Sequence, residues 1–151
     1  LGIVFFAFAQ SKPVILGAEQ TKAYLPILKN KRVALFSNHT GIVGDKHTLD
    51  ILIENKVNVV AIFSPEHGFR GTADAGEHVS SSVDEKTGVP IISLYQGGSK
   101  RPSEANIRKF DILVVDIQDV GLRFYTYYVS MVQLMDAWRC PAPTSLSSTC
   151  M

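Results

Sequence analysis

Val57-Asn58-Val59-Val60-Ala61-Ile62-Phe63 runs directly into Ser64-Pro65-Glu66-His67-Gly68-Phe69-Arg70-Gly71. The first half is almost wholly apolar or β-branched, as a strand buried on both faces requires. The second half sets an acid, an imidazole and a guanidinium between turn-forming glycines. An apolar strand that ends in such a cluster is where α/β proteins place their chemistry. The stretch is therefore read as the core of an active site, with Glu66 its first residue.

The flanking sequence repeats the pattern. Val33-Ala34-Leu35-Phe36 follows Lys31-Arg32 and reads as a buried strand that ends in the polar loop Ser37-Asn38-His39-Thr40-Gly41. His47 to Lys56 carries apolar residues at 49, 51, 52 and 53, with Asp50 and Glu54 between them, and reads as an amphipathic helix capped by Asp45. Strand, helix and fully apolar strand in succession argue for a parallel sheet covered on both faces. Ser64 to Gly88 is expected to be one long functional loop. Val89 to Leu94 is the third strand, with Pro90 at its start, where proline is tolerated. A short helix spans Pro102 to Lys109, starting at Ser103 or Pro102. Phe110 to Asp116 is the fourth strand, and Tyr125 to Trp138 the last helix. Ahead of them all, Ala18 to Lys29 reads as a helix interrupted by Pro26.

The totals fit one domain. With 151 residues, 46% hydrophobic and 19% charged, the chain is long enough and apolar enough for a real core. A net charge of +1 offers no footprint for nucleic acid and no basic patch for a stable membrane anchor. The two cysteines, Cys140 and Cys150, fall at the end, so the body of the chain has neither a disulfide framework nor a cysteine nucleophile. Residues 1–10 are apolar and include Ala7-Phe8-Ala9, an A-x-A pattern. They read as the remnant of a secretory signal, with a buried first strand or a membrane anchor as the alternatives. The expected location is accordingly exported, periplasmic or secreted. Residues 139–151 are rich in Pro, Ser and Thr and read as an unfolded or aberrant tail after a partial catalytic domain over 17–138.

In open parallel sheets, ligands bind beyond the carboxyl ends of the strands. Asn38 and His39 follow the first strand; Glu66, His67 and Arg70 the second; Tyr95 the third; Asp116, Gln118, Asp119 and Arg123 the fourth. Four loops distant in sequence thus bring carboxylate, imidazole and amide groups to one edge. Each residue also has a plainer reading. Glu66 would cap a turn or pair with Arg70, His67 would bond its own loop, and Asp116 would cap backbone amides. Asp119 and Arg123 would form a salt bridge, and Asn38 and His39 would be turn residues. No G-x-G-x-x-G, Walker loop or G-x-S-x-G elbow is present, so nucleotide binding and serine hydrolase chemistry have no support.

Three motifs carry a family resemblance: Ser37 to Gly41, Ser64 to Gly71, and Asp116-Ile117-Gln118-Asp119-Val120-Gly121-Leu122-Arg123-Phe124-Tyr125-Thr126-Tyr127. Together they resemble the exo-β-N-acetylmuramidases of the NamZ type, over roughly Gly17 to Ala137. The resemblance implies an α/β fold with a Rossmann-like, open, mainly parallel sheet and helices on both faces. The sheet is expected to be incomplete at its C-terminal end, because the family chain continues into further strands and a second domain. It also implies a glycosidase of cell-wall turnover that releases N-acetylmuramic acid from the non-reducing ends of peptidoglycan fragments. Glu66, the glutamate of the Pro-Glu-His-Gly motif, is then the leading catalytic candidate. Glycoside hydrolysis usually takes two carboxyl groups; Asp116 and Asp119 are the available partners, with His67 beside Glu66. The lactyl carboxylate of a muramyl saccharide suits a bidentate guanidinium, from Arg70 or Arg123. Asn38, His39, Gln118 and Tyr95 complete the expected binding set, with no cofactor and no metal. Two other readings stand beside it. One is a metal-dependent hydrolase using His39, Glu66, His67, Asp116 and Asp119; the other is a saccharide-binding fragment without activity.

Overall fold

The computed structural model describes residues 14–65, 69–70, 82–94, 101–122 and 124–139. Residues 1–10, most of the expected tail, and Glu66, His67, Tyr95 and Arg123 lie outside them. Four parallel strands form the body of the sheet: β1 (Arg32–Ser37), β4 (Asn58–Ser64), β6 (Pro90–Ser93) and β7 (Ile112–Asp116). Two short strands, β2 (Ile42–Val43) and β3 (Lys46–His47), pair as a separate antiparallel hairpin, and β5 (Ser82–Val83) adds an antiparallel edge. The main sheet runs β5-β6-β4-β1-β7. The helices are α1 (Thr21–Leu28), α2 (Thr48–Glu54), α3 (Glu104–Ile107) and α4 (Tyr127–Arg139).

Side chains alternate along β1. Val33 and Leu35 join Leu28 of α1 and Leu49 and Leu52 of α2 in one core. Ala34 and Phe36 join Ile107 of α3 and Leu134 and Ala137 of α4 in a second core. A register shift against β4 between Val33 and Ala34 sends Val59 and Ile62 to the first core and Ala61 and Phe63 to the second. The sheet is thus covered on both faces, which is why β1 and β4 read as unbroken apolar runs.

Three expectations are corrected. Asp45 does not cap α2. It lies in the hairpin turn beside Gly44, whose φ of 63° glycine accommodates without strain. His47 takes the cap instead, its Nδ1 accepting from Leu49 N at 3.1 Å. The Ser64 to Gly88 stretch is not loop throughout: Ser82 and Val83 pair with Ile91 and Pro90. Pro26 does not interrupt its helix: α1 runs from Thr21 through Pro26 to Leu28, behind a separate 3-10 turn over Gly17–Glu19. Asp50, set between the apolar residues of α2, is itself buried.

Candidate active site

The parallel strands end level with one another. Ser37 pairs with Asp116, Ser64 with Ser93, and Phe36 with Phe63 one step earlier. Along the chain, β1, β4 and β6 are laid down in one direction, and β7 then returns to the other side of β1. The carboxyl ends of β1 and β7 are therefore the topological switch point, where an open α/β sheet leaves a crevice.

That crevice is built from the loop after β1. Asn38 is fully buried, and its Oδ1 accepts from Thr40 N at 3.0 Å and Thr40 Oγ1 at 2.6 Å. Its amide nitrogen is buried without a hydrogen-bond partner. Thr40 Oγ1 in turn accepts from Gln118 N at 3.0 Å, tying the exits of β1 and β7 together. Thr48, first residue of α2, donates from Oγ1 to Asp116 Oδ2, while its N–H bonds Gly41 O at 2.8 Å. Asp116 is half-buried, and Gln118 and His39 are exposed. Tyr24, Thr40, Thr48, Asp116 and Gln118 line a cleft of about 750 Å³. Burial raises the Tyr24 phenol above its ordinary pKa, and the charge of Asp116 pushes the same way.

The other candidates are placed differently. Asp119 is exposed, and its two oxygens accept from Gly121 N at 2.7 Å and Tyr128 N at 3.3 Å, so the carboxylate shapes the turn into α4. Arg70 lies on the α2 side of the sheet, with its fork on Asp84: Nε to Oδ1 is 3.0 Å and Nη2 to Oδ2 is 3.1 Å. Burial alone would raise the pKa of Asp84, but bonds from Arg70 and Thr87 outweigh it and hold the carboxyl below its usual range. Phe69 is buried, and its ring meets that of His47 edge-on at 4.6 Å between centroids. His47 Nε2 lies 2.8 Å from Asn38 O. With Nδ1 accepting from Leu49, the tautomer that satisfies both bonds carries its proton on Nε2. Among the described residues, no three His, Cys, Asp or Glu side chains gather closely enough to hold a metal ion.

The sequence profile of the N-terminal part of exo-β-N-acetylmuramidase NamZ matches residues 33–142. The chain belongs to the NamZ N-terminal family. It is similar to the peptidoglycan β-N-acetylmuramidase NamZ of Bacillus subtilis (strain 168), with 49% identity over 116 residues, or 76% of this chain and 28% of that one. The crystal structure of a DUF1343 family protein from Bacteroides fragilis NCTC 9343 superposes with a TM-score of 0.70 at 69% identity, covering 83% of this chain and 31% of the other. A second DUF1343 structure from that organism gives a TM-score of 0.68 at 40% identity, covering 80% and 30%. The chain spans less than a third of the length of each of these relatives.

Within this NamZ N-terminal domain, the structure joins Asn38, Asp116 and Gln118 at the crevice and sets Arg70 and Asp119 apart from it. Three polar residues of the network escaped the sequence reading: Thr48, Asp50 and Asp84. Thr48 was hidden as an ordinary first-turn residue. Asp50 did carry a signal, as an acid set among apolar neighbours at 49, 51, 52 and 53.

Proposed function

We propose that this chain is the catalytic-domain portion of a peptidoglycan-turnover glycosidase, an exo-β-N-acetylmuramidase that releases N-acetylmuramic acid from the non-reducing ends of cell-wall fragments. The observation that carries the reading is the 49% identity to the Bacillus subtilis muramidase over 116 residues. Glu66 is the general acid/base in this proposal, donating a proton to the leaving glycosidic oxygen, with His67 beside it in sequence. Asp116 is preferred over Asp119 as the partner carboxylate. Asp116 sits half-buried at the switch point, held from one side by Thr48, whereas both oxygens of Asp119 already serve backbone amides. Asn38, His39, Gln118, Tyr95 and Arg123 are assigned to the muramyl saccharide, with Arg123 as the guanidinium for its lactyl carboxylate. Export to the periplasm or medium is part of the same proposal, since the substrate lies there.

The test is release of N-acetylmuramic acid from a chromogenic muramide by the protein that carries this chain. Glu66→Gln is expected to lower kcat by a factor of about 10² to 10⁴, the usual worth of a general acid/base. Undiminished release by that variant would refute the assignment of Glu66.

A further inference from the structure

The Asp116 carboxylate is held from outside its own strand. The backbone of Asp116 ends β7, in register with Ser37 of β1. Its side chain is met by a segment 68 positions earlier, where Thr48 Oγ1 donates to Oδ2. Thr48 is the first residue of α2 and only 1% exposed. Three ties fix it in turn. Its N–H bonds Gly41 O at 2.8 Å. The preceding residue, His47, caps the helix at Leu49 N and lies 2.8 Å from Asn38 O. Leu49 and Leu52 then bury the helix in the α2-side core. Gly41 also lies close to the same oxygen, since an added Cβ there would stand 3.1 Å from Oδ2.

The buried carboxylates Asp50 and Asp84 are held differently. Asp50 meets Lys86 at 2.6 Å, and Asp84 meets Arg70 at 3.0 Å. Among the described residues, no lysine or arginine comes within salt-bridge distance of Asp116. A cation would hold a carboxylate and cancel its charge. A hydroxyl donates one strong bond to an ionised oxygen, fixes the rotamer and leaves the charge in place. An uncancelled carboxylate suits the oxocarbenium-like transition state of glycoside hydrolysis, in which positive charge develops on the sugar. Capping does not account for the Thr48 hydroxyl, because His47 already supplies the cap of α2.

We infer that Thr48 is the positioning residue for Asp116, holding its carboxylate charged and in one rotamer at the switch point. The inference rests on the glycosidase reading above, in which Asp116 is the partner carboxylate. Its consequence is that the first turn of α2 belongs functionally with the end of β7.

The test is steady-state kinetics on the chromogenic muramide, using the protein that carries this chain. The variants are Thr48→Val, Thr48→Ala, Thr48→Ser, Asp116→Asn and the Thr48→Val/Asp116→Asn pair, each scaled to its folded fraction by circular dichroism. Displacing a catalytic group by about 1 Å costs on the order of a hundredfold. Thr48→Val and Thr48→Ala, which lack the donor, are each expected to lower kcat by about ten- to a hundredfold, with KM within about twofold of wild type. Thr48→Ser, which keeps the hydroxyl, is expected to stay within about threefold of the wild-type kcat. In the pair, Thr48→Val is expected to add less than about threefold to the loss from Asp116→Asn, as for residues acting as a unit. Wild-type kcat in both variants that lack the donor would overturn the inference. So would a rise in KM at unchanged kcat, which would make Thr48 a substrate ligand. A Thr48→Ser as poor as Thr48→Val would assign the loss to shape, and a full second loss on top of Asp116→Asn would show Thr48 acting without Asp116; either result overturns it too. An inactive wild type would sink the glycosidase reading and the inference with it. An active wild type with a normal Asp116→Asn would remove Asp116 from the proposed site and take the inference along. An active wild type with an impaired Asp116→Asn and a normal Thr48→Val would sink only the inference.

Discussion

His47 shows how much one side chain holds together here. It caps α2 through Nδ1, bonds the carbonyl of Asn38 through Nε2 and packs against Phe69. Burial pushes its pKa below 6.5; the Asn38 carbonyl opposes this, the Arg70 charge adds to it, and Asp50 and Asp116 oppose it. A base whose folded pKa is depressed favours the folded state only while neutral. Its contribution is complete above about pH 6.5 and is lost as pH falls toward the folded value, because the unfolded chain then binds the extra proton. A protonated Nδ1 also cannot accept from Leu49, so the cap, worth about 1 kcal/mol, goes at the same time. Urea denaturation at pH 7.5 and 5.5 should therefore show wild type losing stability at the lower pH. His47→Asn, which keeps a capping oxygen, should start less stable but lose less between the two. An equal loss in both would show that His47 is not the group responsible.

At the scale of elements, the loop from β1 to α2 is shaped by space. Gly41 sits where an added Cβ would run into Ser37 Oγ and come within 3.1 Å of Asp116 Oδ2. Its φ is not in the left-handed region, so the constraint is close approach and not backbone freedom. Gly41→Ala is expected to cost about 1–3 kcal/mol as an overpacked site. Under the glycosidase reading proposed above, it should also lower turnover more than an equally destabilising change remote from the cleft, because the carboxyl it displaces is Asp116. Denaturation midpoints and kcat measured on the same preparations check both. None of this spacing was legible in Ser37-Asn38-His39-Thr40-Gly41, which reads only as a polar turn. The long elements were legible, since buried runs such as Val33 to Phe36 and Val59 to Phe63 have one stable placement between two helical layers. The two-residue strands β2, β3 and β5 were not, since two positions carry no periodicity. That Asn38, Asp116 and Gln118 come to the carboxyl edge followed from the strand ends. Their pairings did not: Thr48 with Asp116 and Arg70 with Asp84 are contacts between segments 68 and 14 positions apart, which no local pattern encodes.

For the molecule as a whole, the consequence of the sheet order is that two cores share the same two strands. Leu52 belongs to the α2-side core and Leu134 to the α4-side core, each fully buried, and β1 and β4 send alternate side chains into both. A sheet held from both sides cannot lose one layer without exposing the apolar face of its central strands. The two cores should therefore melt as one unit. Trp138 is the single tryptophan and stacks on Phe110 at 5.9 Å, beside the α4-side core, so its fluorescence reports that layer alone. Leu52→Ala, on the opposite face, is expected to cost about 2–5 kcal/mol. If the sheet couples the layers, the Trp138 transition should move to lower denaturant by the same amount as the far-ultraviolet circular dichroism transition, and the two curves should coincide. If the Trp138 curve instead stays at its wild-type midpoint while the circular dichroism signal splits into two steps, the layers unfold separately. The crevice between β1 and β7 would then rest on one layer only, and the arrangement of Asp116, Thr48 and Asn38 would be as stable as α2 and no more.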